Sequence, residues 1–451
     1  MNISKNWTLF FIVALSLCAH AADRSIYNIE DYGAHGDGIA SSTKQIQKTI
    51  DAAAAAGGGT VLVPPGKFVT GTIWLRSNIN FCISPGATLL GSQDMEEFPL
   101  WQSHWEGPNV KPRRAPLIAG EDLENVSLTG RGTIDARGEM WWKLQRKAPK
   151  DTEVLRPLMF RLVNSRNVLV EGLTFRNSPM WTITPLACED VTINNIIIQN
   201  PADSPNTDGI NPDSCRNVHI SGCHIDVGDD CVTIKSGKED DGRKELRACE
   251  NITITNCTML HGHGGVVFGS EMSGSVRNVT ISNCVFIGTD RGLRFKARRG
   301  RGGVIENISA SNIIMDGVLC PIVVNLFYAP GAGESKKFAE ATSQPVTEAT
   351  PKFAHLRFSN IMARNVKLAA GYLVGLPEMP LEDVCCDNVS VFMDPKSKTA
   401  GRPDMSPGIA SIARGGFIAN RVDGLTIRNV QIHDQIGERF LIRDCKDIKQ
   451  E

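Results

Sequence analysis

Apolar and polar residues alternate along most of the chain in a nine-residue phrase that returns many times. The phrase is Asn or Asp, apolar, any residue, apolar, any residue, Asn or Gly, apolar, any residue, apolar. Its clearest copies begin at Asn167, Asp190, Asn217, Asn251, Asn278 and Asn307, and looser copies begin at Asn125, His355, Asp383 and Gly424. Because the side chains of a β-strand point alternately to its two faces, each copy predicts short strands with one buried face.

The intervals between the copies predict the architecture. Several successive copies follow one another at similar intervals, with longer gaps where loops are inserted. The turns of a β-sandwich would come about every 8–12 residues, whereas a parallel β-helix places one copy in each coil and stacks it on the next. We therefore expect an all-β, single-domain parallel β-helix with a continuous apolar core. The repeated Asn is expected at a turn, where its side chain can bond the neighbouring backbone.

Two segments depart from the repeat. The stretch from Thr43 to Ala56 has Ile46 and Ile50 one helical turn apart and is followed by three glycines, so it predicts an amphipathic helix. We expect this helix to cap the N-terminal end of the solenoid. Residues 330–352 are rich in Gly, Ser, Thr, Lys, Glu and Pro and predict a long excursion from one coil. Loops of that length in a compact fold are either functional or disordered.

The N-terminal residues are typical of an export signal. A lysine precedes an apolar stretch that ends at Cys18, and Ala19-His20-Ala21 supplies small residues at alternate positions. We expect residues 1–21 to be a signal peptide and residues 22–451 to form the exported domain, in the periplasm or outside the cell. Lipid attachment at Cys18 is the alternative, which the bulky Leu17 disfavours. Beyond this stretch no apolar run reaches membrane-spanning length.

Charge and cysteine content narrow the function classes. The sequence has 48 Lys and Arg against 49 Asp and Glu, a net charge of −1, which argues against a general nucleic-acid binder. Of its 13 cysteines, Cys223, Cys257 and Cys284 occupy the same place in the repeat, so we expect them to stack as small buried side chains. We expect mostly free thiols in the core, with one or two disulfides as the alternative that export would permit.

Three aspartates are spaced by roughly the length of one coil. Asp208 stands in the sequence Asn-Thr-Asp-Gly, and Asp229 and Asp230 follow a glycine one such interval later. One coil of a solenoid returns a residue to nearly the same place about 4.8 Å along the axis, so the three carboxylates are expected on one wall. The alternative is that each Asp-Gly or Gly-Asp is only a turn former. Because Asp229 and Asp230 are adjacent, at least one of them must lie at a bend or bulge.

Basic residues follow in the next coils. His263 stands in a His-Gly-His-Gly-Gly sequence after Asp229, and Arg294 follows His263 at a similar interval. Arg294 and Lys296 occupy alternate positions, so on a strand they share a face, where a guanidinium and an ammonium suit a carboxylate ligand. Three more arginines lie between positions 298 and 301. A solvated charge run is the alternative for this basic stretch.

Carboxylates beside cations are the components of a glycosidase that acts on an anionic sugar. Clustered carboxylates raise one another's pKa, so one can stay protonated and donate to the leaving oxygen. The others can activate a water on the opposite face of the sugar ring, which inverts the anomeric centre. Nothing in the sequence demands a metal-ligand set, so we expect neither a metal nor a cofactor.

The ordered motifs Asn-Thr-Asp, Gly-Asp-Asp, Gly-His-Gly and Arg-x-Lys resemble those of glycoside hydrolase family 28, the polygalacturonase family. The resemblance implies a right-handed parallel β-helix and hydrolysis of the α-1,4-galacturonosyl linkages of pectin. It implies that Asp229 is the general acid and that Asp208 and Asp230 hold the attacking water. It also implies that His263 supports protonation of the acid.

The same resemblance implies residues that bind the pectic substrate. Arg294 and Lys296 would bind the galacturonate carboxylate, and Asn206 of the first motif would also contact the substrate. The residue between the two cations is usually aliphatic in the family. Here it is Phe295, which we expect to point into the core.

The phrases CVTIKSGKEDDGR and FGSEMSGSVRNV resemble the bacterial, exo-acting branch of the family. This resemblance adds Lys235 and Glu271 as substrate contacts and makes residues 330–352 a wall that closes one end of the cleft. The backbone acted upon could instead be rhamnogalacturonan or xylogalacturonan. Two further alternatives are a β-helical pectate lyase, usually calcium-dependent, and a non-catalytic pectin-binding solenoid, which would not need the three aspartates. The sequence does not indicate the oligomeric state.

Overall fold

The computed structural model describes residues 25–149, 152, 154–239, 245–329, 340, 342–406 and 410–451. The predicted signal peptide lies outside the described residues, and so do Cys18 and positions 330–339 and 341 of the predicted excursion. Within the described residues, no helix has both the length and the apolar character needed to cross a membrane.

Short strands follow one another along the described chain. The strands up to residue 199 are β1 Ile26–Asn28, β2 Asp37–Ser41, β3 Gly59–Val63, β4 Gly66–Thr70, β5 Ile73–Trp74, β6 Ile79–Ile83, β7 Ala87–Gly91, β8 Leu100–Trp101, β9 Arg113–Arg114, β10 Ile118–Glu121, β11 Glu124–Gly130, β12 Thr133–Asp135, β13 Phe160–Val163, β14 Arg166–Glu171, β15 Thr174–Arg176, β16 Glu189–Asn194 and β17 Ile197–Gln199. The later strands are β18 Arg216–Ser221, β19 His224–Val227, β20 Val232–Ile234, β21 Cys249–Thr255, β22 Thr258–His261, β23 Val266–Gly269, β24 Val276–Ile287, β25 Arg291–Lys296, β26 Val304–Asp316, β27 Cys320–Asn325, β28 Lys352–Val366, β29 Ala369–Val374, β30 Leu381–Met393, β31 Gly415–Asn420, β32 Val422–His433, β33 Phe440–Arg443 and β34 Lys449–Gln450.

Parallel pairing joins these strands into the three faces of a right-handed parallel β-helix, which confirms the predicted fold. The first face runs from β1 and β3 to β21, and the second from β2 and β4 to β22; the long strands from β24 onward contribute to both. The third face starts with β5, β10 and β13, continues through single bridges at Ile183 and Ile210, and ends with β20, β23, β25, β27, β29, β31 and β33. Strands β8 and β9 form a short antiparallel hairpin.

The apolar positions of the repeat form the core because the register is kept from coil to coil. One buried row of the first face consists of Val126, Val168, Val191, Val218, Ile252, Val279, Ile308, Leu356, Val384 and Leu425. Each of these side chains packs on its equivalents in the coils above and below. Burial of one such side chain contributes about 1.5–3 kcal/mol, so a continuous row is a large stabilising feature.

The first residue of the phrase lies in the left-handed backbone region, and its side chain forms a ladder along the solenoid. Asn251 and Asn278 have φ angles of 59° and 57°. The Nδ2 atom of Asn251 donates to Oδ1 of Asn217, and that of Asn278 donates to Oδ1 of Asn251, both at 3.1 Å. The prediction that this side chain bonds the neighbouring backbone is therefore wrong for Asn251 and Asn278, whose amides bond the equivalent side chain of the preceding coil. Stacked coils place equivalent amides close enough for donor to meet acceptor, so the side chains bond one another.

The twelve cysteines in the described residues are free thiols, and nine of them are buried. Cys223, Cys257 and Cys284 lie buried in successive coils, as the repeat predicted. A second buried stack, which the repeat did not predict, consists of Cys188, Cys215 and Cys249. The prediction of free thiols is confirmed for this part of the chain.

Helix α1, Thr43–Ala55, buries Ile46 and Ile50 against the N-terminal coils and confirms the predicted cap. Helix α2, Glu139–Lys147, was not predicted. It is too short for a helical period to stand out in the sequence, and it is anchored by the buried Trp141 and Trp142. Short 3-10 helices at Ile29–Tyr32 and Met95–Glu97 complete the helical elements of the described residues.

Candidate active site

The predicted acidic residues lie where successive coils pass from the second face to the third. Asp208 precedes the bridge at Ile210, Asp229 and Asp230 lie between β19 and β20, and His263 lies between β22 and β23. Backbone bonds hold these coils in register: Gly209 N donates to the Asp230 carbonyl at 3.0 Å, and His263 N donates to the Asp229 carbonyl at 3.2 Å. Each aspartate offers a carboxylate oxygen within 4.8 Å of those of the other two. The clustering predicted from the coil spacing is confirmed.

Glycines in these motifs allow the coils to approach closely. A Cβ atom on Gly209 would lie 2.4 Å from the carbonyl oxygen of Cys231 in the next coil. A Cβ atom on Gly262 would lie 2.2 Å from the carbonyl oxygen of Asp229, and this glycine also has a φ of +73°. Both positions exclude any residue with a side chain. The glycines are thus part of the coil contact at the site as well as turn residues.

The chain bends at Gly228 and Asp229, as adjacent aspartates facing one site require. The backbone N–H of Asp230 donates to Oδ1 of Asp229 at 2.9 Å. Asp208 and Asp230 are 4% and 2% exposed, whereas 19% of the Asp229 side chain is exposed. Asp229 is therefore the most exposed carboxylate of the cluster.

Burial and like charges act together on Asp208. Desolvation, followed by the negative charge of Asp229, raises the pKa of the Asp208 carboxyl well above its usual value, although the ammonium of Lys235 opposes this. The side-chain amide of Asn211 donates to Oδ2 of Asp208 at 3.0 Å. Asp208 is therefore the carboxyl of the cluster whose pKa burial and like charge raise.

Asp229 and His263 form an ion pair, with Nδ1 of the ring 3.3 Å from Oδ1 of the carboxylate. Burial alone would raise the pKa of Asp229, but the bond and charge of His263 and the charge of Lys296 lower it to about 2. The same bond to Asp229 raises the pKa of His263 against the opposing effect of burial. In the free site the proton of this pair is therefore on the imidazole, whereas the motif alone suggested a protonated Asp229.

The two cations of β25 are already bound to carboxylates of the protein. Lys296 Nζ lies 2.7 Å from Oδ2 of Asp230, and Arg294 Nη1 lies 3.5 Å from Oδ1 of the same residue. Nε and Nη2 of Arg294 both donate to Oδ1 of Asp404, at 3.1 and 2.7 Å. Only 2% of the Arg294 side chain and 8% of the Lys296 side chain are exposed. Folding places the two cations on one face of β25, as their alternate positions predicted, and buries both side chains among these aspartates.

Phe295, between the two cations, points into the core as expected. It is fully buried and stacks on Phe268 with ring centroids 4.2 Å apart and an interplanar angle of 10°. Its edge meets Phe353 and Phe358. Alternation along β25 therefore places the aromatic ring inside and the cations on the cleft side.

Lys235 and Glu271 meet beside the carboxylates as a second ion pair. Lys235 Nζ lies 3.0 Å from Oε2 of Glu271 and 4.4 Å from the ring centre of Trp181. The charge of Glu271, acting against burial, raises the pKa of Lys235, and Lys235 in turn holds the pKa of Glu271 far below its usual value. Trp181 is half-buried in the coil before Asp208 and was not predicted from the sequence. An aromatic residue in a poorly aromatic chain was the only available signal for it.

Asn206 lies at the exposed rim of the site with a φ of 56°. Its Oδ1 atom accepts a hydrogen bond from Nη2 of Arg156 at 2.7 Å. Nη1 of Arg156 also donates to the Pro205 carbonyl at 2.7 Å. The residue is thus close to Asp208 in the chain but belongs to the rim of the cleft.

The basic stretch after β25 is internally paired. Arg299 binds Glu378 through Nε at 2.6 Å and Nη2 at 2.8 Å, and Arg301 and Arg298 both bind Glu239. All three arginines are buried, so the interpretation as a solvated charge run is wrong. Arg299 also donates to the carbonyls of residues 340 and 342, which attaches the end of the 330–352 excursion to this stretch. A cavity of about 770 Å³ opens between the excursion and these paired charges.

Three clustered carboxylates could hold a divalent cation. Here the ammonium of Lys296 supplies positive charge to Asp230 at 2.7 Å, and the imidazole of His263 does the same for Asp229 at 3.3 Å. The protein's own cations thus lie against two of the three carboxylates, and burial raises the pKa of the third, Asp208. The charge balance of the site does not call for an added ion.

Carboxylates of differing pKa, gathered on the wall of a parallel β-helix, define a glycoside hydrolase built on a solenoid scaffold. The model of the glycosyl hydrolases family 28 matches residues 60–402. The chain belongs to this family and is a glycoside hydrolase.

Individual relatives agree with this assignment. A probable polygalacturonase of Vitis vinifera is 32% identical over 394 residues, which cover 85% of this chain and 77% of the relative. The crystal structure of an exopolygalacturonase of Thermotoga maritima is 32% identical with a TM-score of 0.71, covering 82% of this chain and 87% of that one. The family 28 exopolygalacturonase of Yersinia enterocolitica, 22% identical with a TM-score of 0.79 over 94% of this chain and 78% of that one, shares the fold.

Proposed function

We propose that this family 28 hydrolase is a polygalacturonase that removes galacturonate from chain ends of pectin with inversion of the anomeric centre. The observation that carries the proposal is the cluster of Asp208, Asp229 and Asp230, in which His263 pairs with Asp229 and Lys296 pairs with Asp230. The similarity to the polygalacturonases of Vitis vinifera and Thermotoga maritima supports the substrate.

Asp229 is the proposed general acid because it is the member of the cluster that faces the cleft. Its pKa of about 2 in the free site means that it must receive its proton before it can donate one. His263, 3.3 Å away, carries that proton. When a sugar covers the pair, loss of solvent disfavours two separated charges and favours neutral imidazole beside neutral carboxyl. The pair then delivers its single proton to the leaving oxygen through Asp229.

Asp208 and Asp230 are proposed to hold the attacking water. Both carboxylates are set back from the surface, since Asp208 is 4% and Asp230 2% exposed. A water molecule can bridge that gap, with Asp230 accepting its proton and Asp208 helping to hold it. Direct attack by water gives inversion.

The separation of the carboxylates makes inversion a proposal that needs its own measurement. Oxygens of the three groups lie within 4.8 Å of one another, which is closer to the roughly 5–5.5 Å of retaining pairs than to the roughly 6.5–9.5 Å of inverting pairs. We expect proton NMR of the first product to show the β-anomer. An initial α-anomer would contradict the water position and require a covalent intermediate.

Cations around the cleft are proposed to bind the uronate groups. Lys296 keeps two ammonium protons and Arg294 keeps the N–H groups that do not bind Asp404, and these groups are proposed to donate to the substrate carboxylate. Lys235 and Glu271 form a polar contact next to the half-buried indole of Trp181, a surface on which a sugar ring can lie. Asn206 extends the contacts at the rim.

Exo-action is proposed from a wall beside the basic stretch, formed by residues 340 and 342–352, the described part of the excursion. The wall is held against the basic stretch because the paired Arg299 and Glu378 bind backbone groups of Glu340, Thr342 and Gln344. A polymer chain that meets this wall can place only its terminal sugars across the carboxylates. An enzyme with this geometry releases short products from the start of the reaction.

Export is proposed from the pattern of residues 1–21, with the mature chain beginning near Ala22. N-terminal sequencing of the protein recovered from periplasmic and extracellular fractions tests this. A mature chain that begins with a lipid-modified Cys18 would replace the proposed free exported form with an anchored one.

Product analysis by chromatography on polygalacturonate and on rhamnogalacturonan tests the proposed function, with Asp229→Asn as the control. Monomeric galacturonate from polygalacturonate alone is the expected result. A ladder of oligomers would contradict exo-action, and release from rhamnogalacturonan alone would contradict the substrate. An unsaturated, ultraviolet-absorbing product would contradict hydrolysis and indicate a lyase.

A further inference from the structure

Residues 402–406, called the strap here, cross the third face beside the active site. Nε of Arg291 donates to the Pro403 carbonyl at 2.8 Å, and Nη2 of Arg291 donates to the Arg402 carbonyl at 3.2 Å. The backbone N–H of Ala329 donates to the Met405 carbonyl at 2.8 Å. The strap is therefore attached both to β25 and to the segment that follows β27, which come much earlier in the chain.

Asp404 is the side chain of the strap that binds a cation of the site. It is fully buried, and its Oδ1 accepts from Nε and Nη2 of Arg294 at 3.1 and 2.7 Å. Its Oδ2 accepts from Nδ2 of Asn325 on β27 at 2.8 Å. Both oxygens are bound, so the orientation of the carboxylate is fixed from two neighbouring strands.

This contact selects which edge of the guanidinium is free. An arginine has five N–H groups, and its Nε/Nη2 edge and its Nη1/Nη2 edge can each bind a carboxylate. Asp404 takes the Nε/Nη2 edge and leaves the Nη1/Nη2 edge, whose Nη1 lies 3.5 Å from Oδ1 of Asp230. Without Asp404, the guanidinium of Arg294 could rotate and turn its Nε edge toward Asp230. The Nη1/Nη2 edge would then no longer lie beside Asp230 and the proposed attacking water.

We propose that Asp404 is a positioning residue of the active site, which holds Arg294 so that its outer edge serves Asp230 and the substrate carboxylate. Asp404 lies beyond residue 402, where the match to the family model ends. The inference rests on the proposed function, because it assigns the edge of Arg294 to a uronate ligand. Asp404 acts through Arg294 and not by contact with the sugar, since its side chain has no exposed surface.

A double-mutant cycle on kcat/KM tests the proposal with Asp404→Asn, Arg294→Gln and the double variant. Asn keeps the shape of Asp404 and removes its charge. We expect Asp404→Asn to lower kcat/KM by about 10- to 100-fold, since small displacements of a binding group have costs of that order. In the Arg294→Gln background we expect the same change at position 404 to have no further effect. Asp387→Asn is the matched control, because Asp387 binds Arg428 through two hydrogen bonds on the outside of the solenoid; its activity should be unchanged.

The outcomes separate the inference from the proposed function. Equal losses from Asp404→Asn with and without Arg294 would overturn the inference, and so would an Asp404→Asn enzyme with wild-type kcat/KM. If Asp404→Asn does not fold, the kcat/KM of Arg294→Gln is compared with that of the double variant, which removes both charges. Equal values support the inference, and a lower kcat/KM in the double variant overturns it. A wild-type enzyme inactive on polygalacturonate contradicts the proposed substrate instead. In that case a crystal structure of Asp404→Asn tests the positioning directly. A guanidinium rotated so that the Nε edge of Arg294 faces Asp230 supports the inference, and an Arg294 in its wild-type orientation overturns it.

Discussion

Nδ1 of His263 lies 3.3 Å from Oδ1 of Asp229, and the two residues come from successive coils of the solenoid. The ring is half exposed to the cleft, whereas the carboxylate is mostly buried. Because the pKa of Asp229 is lowered to about 2 and that of His263 is raised, the pair holds one proton over a wide pH range. This shared proton is the one that the proposed mechanism uses.

We predict that His263→Gln moves the alkaline limb of the kcat/KM profile to lower pH. In the wild-type enzyme the proton of the pair is lost only above the raised pKa of His263. Without the imidazole the pKa of Asp229 rises from about 2, yet Asp229 alone still loses its proton earlier than the histidine did. His261→Gln is the control, since His261 binds Asp226 at 2.7 Å outside the carboxylate cluster. An unshifted alkaline limb in His263→Gln would contradict the shared proton.

Asp229→Asn should fold normally and lower turnover by about 10²–10⁴-fold, because the general acid is lost. The asparagine has nearly the same shape and keeps a hydrogen-bond acceptor for the Asp230 N–H. Asp203→Asn is the matched control from the same stretch of sequence; its exposed pair with Arg146 is a surface interaction. Turnover is measured from reducing-end release and folding from circular dichroism. Near-normal turnover of Asp229→Asn would remove it from the acid role.

Glu271→Gln and Lys235→Met should each destabilise the protein, whereas the double variant should be more stable than either. Each single change leaves one buried charge without its partner, which costs about 3–5 kcal/mol at full burial and less here because 21% of the Glu271 side chain is exposed. Urea unfolding measures the change in the free energy of unfolding. Additive losses in the double variant would mean that the two side chains do not form a coupled pair.

Phe295→Ala should lower the free energy of unfolding by about 3–5 kcal/mol, the cost of a large cavity in a packed core. Phe295 is fully buried between Phe268 and two further rings. Phe392→Ala is the comparison, because Phe392 is only half-buried and stacks on His433 at the surface. A loss at position 295 no larger than at position 392 would contradict the core assignment.

A thiol-reactive dye should modify Cys82, Cys385 and Cys445 first, since these are the partly exposed cysteines of the described residues. The nine buried thiols should react only after unfolding. Alkylation of the unfolded protein should give the same mass with and without prior reduction. A mass increase that depends on reduction would reveal a disulfide and contradict the free core stacks.

The sequence alone was sufficient for the scaffold and for the acidic half of the site. The repeat has the period of one coil, so residues one repeat apart must stack, and this spacing alone placed Asp208 beside Asp229 and Asp230. The partner of the repeated Asn was misjudged because the sequence shows which residues recur but not which group of a neighbouring coil they meet.

The state of the charges could not be predicted from the motifs. The basic stretch gave no sign that Glu239, Glu378 and Asp404 would neutralise it, because these partners lie 59 to 110 positions away along the chain. Asp404 lies outside the repeated nine-residue phrase, so the coil spacing could not predict its position beside Arg294. The proton of the Asp229–His263 pair depends on burial and on a 3.3 Å contact, and neither quantity can be obtained from residue order.

Backbone bonding between coils has a consequence for how such a site can diversify. The distances from Asp208 to Asp229 and from Asp229 to His263 are set by peptide groups of adjacent coils, although the second pair is separated by a longer stretch of chain than the first. Loops can therefore lengthen at the corners of the solenoid while the catalytic spacing stays equal to the pitch of the ladder. The loops that line the site can therefore change, and with them the substrate, while the spacing of the catalytic side chains stays constant.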